Sequence, residues 1–80
     1  MALIYNLYST DGCHLCEQAL ALIAQVNPNI KINVLDIMDD PVWLESFQIR
    51  IPVLEIPNTS IQLDWPFDAE QLSQFLSTND

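Results

Sequence analysis

Ser9-Thr10-Asp11-Gly12-Cys13-His14-Leu15-Cys16-Glu17 holds the chain's only two cysteines, its only histidine and its only glycine. The residues before and after this stretch follow different periods. Leu3 to Tyr8 is short, apolar and aromatic, the pattern of a buried strand, and it ends at the turn residues Ser9 to Gly12. From Leu15 the apolar residues recur as Ala19, Leu22, Ile23 and Val26, one face of a helix that Asn27-Pro28-Asn29 ends. The cysteine pair therefore lies where a strand turns into a helix, and the helix starts at or just beside Cys13.

That position has chemical consequences. A thiol exchanges as the thiolate, and a free cysteine with a pKa of about 8.5 is mostly protonated at neutral pH. Unpaired N–H groups and the macrodipole at a helix N-terminus favour an anion, so Cys13 is placed to become one. Two intervening residues in a first helical turn bring Cys16 round to the same side, with its sulfur or its N–H near the Cys13 sulfur. Two thiols so placed can act in sequence: Cys13 attacks a disulfide and Cys16 resolves the mixed disulfide. Gly12, with no Cβ, lets a substrate backbone pass close to the sulfur.

His14 admits two readings. Its imidazole can modulate the neighbouring thiol, or it is an exposed residue in the first turn. A protease-like nucleophile and base pair is not expected, because neither an orienting residue nor an oxyanion loop is apparent. Structural zinc needs four ligands, and one Cys-x-x-Cys with one adjacent histidine supplies at most three. No metal site is expected within one chain, although an iron–sulfur or metal site shared between two subunits stays open as an alternative.

Composition narrows the partners. The 80 residues carry eleven carboxylates against only Lys31 and Arg50, a formal net charge of −9. A nucleic-acid surface needs clustered cations, so nucleic acid and anionic membrane are both excluded as expected partners. The acidity reads either as a solvated surface or as selection of a basic partner, and composition leaves both open. No apolar run approaches the roughly 20 residues of a membrane span, and Met1-Ala2-Leu3-Ile4 lacks the basic region of a signal peptide. The expectation is a cytoplasmic monomer forming one domain over residues 1–80, whose cysteines serve chemistry rather than a permanent bridge.

The rest of the chain supplies the frame. Ile30 to Val34 alternates with period two and runs on through Ile37 as a second strand. Asp39-Asp40-Pro41 offers a carboxylate cap with proline at the first helical position, opening a short helix to about Phe47. Ile51–Ile56 and Ile61–Trp65 read as strands joined at Pro57-Asn58-Thr59-Ser60, and Asp68 with Gln71 forms a capping box ahead of Leu72, Phe75 and Leu76. The order β-α-β-α-β-β-α makes the first two strands parallel and the final hairpin antiparallel. An α/β fold follows, a mixed four-stranded sheet flanked by helices.

Cys-x-x-Cys at a strand-to-helix turn, this element order and Ile51-Pro52 opening the third strand together resemble the thioredoxin-like fold. More closely, Tyr8-Ser9-Thr10-Asp11-Gly12-Cys13-His14-Leu15-Cys16 and Arg50-Ile51-Pro52-Val53-Leu54 resemble the glutaredoxin-like family across essentially the whole domain. The resemblance implies a dithiol thiol–disulfide oxidoreductase in cell redox homeostasis, with Cys13 as nucleophile and Cys16 as resolving thiol. It implies no bound cofactor, with glutathione as a candidate co-substrate, and a protein disulfide or glutathione mixed disulfide as substrate. Pro52 would be cis, leaving the polar groups of Ile51 to pair with an extended substrate.

The departures from that family are specific. Its glutathione-using members commonly carry Pro-Tyr between the cysteines, a basic residue before them and Gly-Gly after the fourth strand. This chain has His14-Leu15, Asp11-Gly12 and Trp65-Pro66-Phe67-Asp68 at those places. Asp68 can read a ligand ammonium or simply cap a helix, and Arg50 can pair a substrate carboxylate or one of the chain's own. Trp43, Phe47, Trp65 and Phe67 read as core or rim aromatics, the last two also as walls of a peptide groove. A non-catalytic binding module on the same fold is the alternative function.

Overall fold

The computed structural model describes residues 4–79. Its sheet is built around β1 (Ile4–Ser9), which pairs in parallel with β2 (Lys31–Asp36) on one side and antiparallel with β3 (Val53–Glu55) on the other. β4 (Gln62–Asp64) adds to β3 antiparallel, giving the order β2-β1-β3-β4. The expected mixed sheet is therefore present, and β1 and β3 are its interior strands.

Alternation along the strands sends two sets of side chains to two different covers. Tyr5 and Leu7 of β1 and Leu54 of β3 pack with Ala19 and Ile23 of α1 (His14–Val26) and with Leu72 and Leu76 of α3 (Ala69–Asn79). On the opposite face Tyr8 and Val53 pack with Ile37 and with Phe47 of α2 (Pro41–Phe47), and Trp43 joins the rim of that cluster. Leu7, Leu54 and Leu72 have no exposed surface and Ile23 has 1 %. Each such side chain contributes about 1.5–3 kcal/mol on burial, which makes the α1/α3 layer the larger share of the core energy.

Local signals set the element ends. Asp40 accepts the Val42 N–H at 2.8 Å and Pro41 opens α2, as the sequence suggests. The Asp68–Gln71 box is reciprocal: Gln71 N–H donates to Asp68 Oδ1 at 2.7 Å, and Asp68 N–H donates to Gln71 Oε1 at 3.0 Å. In the hairpin loop Asn58 takes φ +64°, and Thr59 donates its hydroxyl to the Ile56 carbonyl at 2.7 Å.

Several strand boundaries differ from the sequence reading. The second strand does not run through Ile37, because the Asp36 carboxylate accepts the Met38 N–H at 2.9 Å and turns Ile37–Asp39 into a single 3-10 turn. The first strand continues to Ser9, which pairs with Asp36, while its expected start at Leu3 lies outside the described residues. The last two strands are shorter than their apolar runs. Beyond them the Ile56 N–H reaches the Ile61 carbonyl at 3.1 Å and the Trp65 N–H reaches the Pro52 carbonyl at 3.2 Å.

Candidate redox site

The carboxyl end of β1 delivers the chain to the cysteines. Gly12 has φ +78°, a left-handed conformation that a side chain would disfavour, so its glycine is required by the turn itself. Nothing lies within 4 Å of where its Cβ would be, which leaves the approach to Cys13 open. The Cys13 N–H donates to the Thr10 carbonyl at 3.3 Å and closes the turn.

Cys13 is the N-cap of α1, with extended backbone (φ −84°, ψ 104°). Its carbonyl accepts the Glu17 N–H at 3.2 Å, and its sulfur accepts the Cys16 N–H at 3.1 Å. The sulfur thus fills the place that a serine or aspartate oxygen takes at an ordinary cap. Cys13 and Cys16 are joined as a disulfide, with their Cα atoms 5.3 Å apart. Their surroundings are unequal: Cys13 is half-buried and Cys16 is 2 % exposed. One sulfur can be reached from solvent and the other is held behind it.

His14 projects outward, and its Nδ1 lies 3.4 Å from Glu17 Oε2, the i,i+3 pairing of a first turn. At 88 % exposure, that contact is a weak surface pair.

The proline segment reaches the same end of the sheet. Tyr8 pairs with Val53, so Pro52 precedes β3 at the level where β1 runs out toward Cys13. The Ile51–Pro52 bond is cis, as the resemblance implies, and Trp65–Pro66 is also cis. Pro52 is buried and Ile51 is half-buried. Trp65 and Phe67 meet edge to face at 5.0 Å between ring centroids, and Phe67 is 5 % exposed, so it belongs to the core.

Arg50 and Asp68, each open to a ligand contact or to a role within the chain, have partners within the chain. Arg50 forks onto Asp64, with Nε and one terminal nitrogen at 3.0 and 2.8 Å from its two oxygens, reaches Gln62 Oε1 at 2.7 Å, and lies 5.1 Å over the Phe47 ring. The hydrogen bond, then the attraction, holds the Asp64 carboxyl below its ordinary range and raises the guanidinium. Asp68 is occupied as the α3 cap.

The sequence reading missed a polar row that crosses all four strands. Asn33, Asn6, Glu55 and Gln62 occupy adjacent register positions on the face that α2 covers in part. Asn33 donates to Asn6, Asn6 donates to Glu55, and Gln62 donates to the other Glu55 oxygen at 3.0 Å. Tyr8 donates its hydroxyl to Glu55 at 2.7 Å while its ring stacks on Phe47 at 4.2 Å. The row fixes the same Gln62 that braces Arg50, so it ties the middle of the sheet to the loop that carries Pro52. Asn33 and Gln62 alternate with apolar residues along their strands, a period-two signal available in the sequence, whereas Asn6 and Glu55 each interrupt an apolar run.

Burial of the phenol, reinforced by the Glu55 hydrogen bond, pushes the Tyr8 pKa from 10.0 up to about 12. The unfolded chain then releases this proton at lower pH than the folded chain. Stability from the buried phenol is complete below about pH 10, declines as pH rises toward 12, and the loss is on the order of 2 kcal/mol. In an alkaline absorbance titration followed together with circular dichroism, wild type is expected to show a late tyrosinate step accompanied by unfolding. Tyr8→Phe should lose one tyrosine's share of that step, and complete tyrosine ionisation near pH 10 with the fold intact would contradict it.

A strand-to-helix Cys-x-x-Cys on a β2-β1-β3-β4 mixed sheet, with helices on both faces and a proline ahead of β3, defines a thioredoxin-fold protein of the redox type. Within that class, the chain belongs to the glutaredoxin-like domain family (Glrx-like, DUF836), whose profile matches residues 5–77. The crystal structure of XcR50 from X. campestris is 37 % identical, with a TM-score of 0.82 over 95 % of this chain and 99 % of that one. The solution structure of XcR50 gives 36 % identity and a TM-score of 0.84 over 98 % and 97 %. Ne2328 from Nitrosomonas europaea shares the fold at 23 % identity, with a TM-score of 0.79 over 95 % and 93 %. No curated protein matches the chain. Among the described residues, no helix is long and apolar enough to cross a membrane, and no group of three or more His, Cys, Asp or Glu side chains is placed to hold a metal ion.

Proposed function

We propose that this chain is a dithiol thiol–disulfide oxidoreductase acting in a reducing, cytoplasmic setting, with Cys13 as the attacking and Cys16 as the resolving sulfur. The observation that carries the reading is the inequality of the pair. Cys13 is accessible and caps a helix, its sulfur accepting a backbone N–H at 3.1 Å, while Cys16 is 2 % exposed behind it. After reduction, a Cys13 thiolate keeps that donor and the helix N-terminus, and Cys16 is positioned to displace a bound partner rather than to meet one. Ile51 and Pro52, just ahead of β3 at the end of the sheet where β1 leads to the cysteines, would offer the edge along which an extended substrate lies. Arg50 and Asp68, already engaged, act by holding the loop and starting α3.

The test is redox equilibration in a series of glutathione buffers, followed by alkylation of free thiols and mass measurement. A reversible loss of two hydrogens with a midpoint between about −180 and −270 mV is expected, and a glutathione adduct would identify glutathione as an electron donor. Thiols that stay reduced across the whole series would overturn the proposal.

A further inference from the structure

The charge around the cysteine end of the sheet is one-sided. Ser9 pairs with Asp36 at that end, whereas Lys31 pairs with Ile4 at the other, five residues away along the strands. At about 3.3 Å per residue, Lys31 is roughly 16 Å from the cysteine end. Arg50 is nearer, but Asp64 already neutralises it through two hydrogen bonds. Among the described residues, neither the lysine nor the arginine offers the site an uncompensated charge, and the exposed His14 imidazole lies 3.4 Å from a Glu17 carboxylate oxygen.

Beside the cysteine turn lies an open cleft of about 460 Å³, lined by Ser9, Thr10, Asp11, Val34 and Asp36. Thr10, one of its lining residues, connects it to the cysteine turn, since the Thr10 carbonyl accepts the Cys13 N–H at 3.3 Å. Asp11 is exposed there, and Asp36 spends one oxygen on the Met38 N–H. Ser9 is only 7 % exposed, and its hydroxyl makes a single long donation, 3.4 Å, to the Thr10 carbonyl. Among the described residues, no group donates to that hydroxyl oxygen. The cleft thus offers two carboxylates, an accepting hydroxyl and the apolar Val34 side chain. An anionic arm of a substrate finds repulsion there, and an ammonium or guanidinium finds acceptors.

We infer that the preferred substrate is a disulfide whose arms carry positive charge, one cationic group resting between Asp11 and Asp36 while Cys13 meets the sulfur. The inference rests on the reading of the cysteine pair as an exchange site. The Cys13 thiolate attacks one substrate sulfur, forming a Cys13–substrate disulfide and releasing the other arm as a thiolate. The Cys16 thiolate then attacks Cys13, forming the Cys13–Cys16 bond and releasing the second arm. The protein loses two electrons and the substrate gains two.

The experiment is a single turnover of the reduced protein with cystamine (cationic), 2-hydroxyethyl disulfide (neutral), glutathione disulfide (anionic) and a short lysine-flanked peptide disulfide. Each rate is divided by that of dithiothreitol with the same compound, which removes the compound's own reactivity. At an ionic strength of about 20 mM, cystamine should exceed glutathione disulfide by about tenfold or more, falling toward unity near 0.5 M. The Asp11→Asn/Asp36→Asn variant retains side-chain shape and an oxygen able to accept the Met38 N–H, and should narrow the ratio to less than about threefold. A lysine-flanked peptide that outpaces cystamine assigns the charge to a basic polypeptide, and the reverse order assigns it to a small amine. Reduction of all four at charge-independent rates, or an undiminished preference in the double variant, overturns the inference while leaving the exchange reading intact. Failure to reduce any of them overturns the exchange reading itself.

Discussion

Cys13→Ser is expected to lower disulfide-exchange turnover by at least about three orders of magnitude, whereas Cys16→Ser is expected to leave the first attack intact and to accumulate a mixed disulfide. The asymmetry follows from exposure. With Cys13 removed, the remaining sulfur is 2 % exposed and no substrate disulfide can align with it for in-line attack. With Cys16 removed, the accessible sulfur still caps α1 and still receives the residue 16 backbone N–H, which a serine at that position retains. The readout is the intact mass of each variant after exposure to a disulfide, together with its turnover under a reductant. Cys13→Ser should stay unmodified and Cys16→Ser should carry one substrate arm, released by dithiothreitol. Turnover preserved in Cys13→Ser would remove the assignment of the nucleophile. Both variants should keep the wild-type far-ultraviolet spectrum, because the strand, turn and cap that build the site do not depend on the sulfur–sulfur bond.

Much of this architecture could be read in the residues because its signals are local. The change from period two before Ser9 to period 3.6 after Leu15 places the strand-to-helix turn, and Asp40-Pro41 and the Asp68–Gln71 box announce the next two helices. What escaped depends on partners distant in sequence. Arg50 reads equally as a contact for a substrate carboxylate or as half of an ion pair within the chain until β4 brings Asp64 against it, 14 residues on. Asn6, Glu55 and Gln62 look like interruptions of apolar strands until the register aligns them in one row. The end of β2 was misplaced for the opposite reason: one short-range bond from the Asp36 side chain overrode a run of strand-forming residues.

Leu54→Ala is expected to be the most damaging single change outside the cysteines, costing about 2–5 kcal/mol. Leu54 has no exposed surface, pairs with Leu7 across the interior of the sheet, and belongs to the layer under α1 and α3. Truncating it leaves a cavity between elements that cannot both collapse inward, since β3 is fixed by β1 on one side and β4 on the other. At roughly 0.05–0.15 kcal/mol per residue, a domain of this length holds only about 4–12 kcal/mol in total. The melting temperature should therefore fall by about 10 °C or more. The polar interactions are weaker by comparison. The Arg50–Asp64 pair, with side chains 35 % and 47 % exposed, is expected to contribute no more than about 1 kcal/mol, so Arg50→Ala should shift the melt by only a few degrees. Thermal unfolding of both variants beside wild type decides the ranking. A larger loss in Arg50→Ala than in Leu54→Ala would mean that the brace on the proline loop, and not the layer beneath α1, holds the redox site in place.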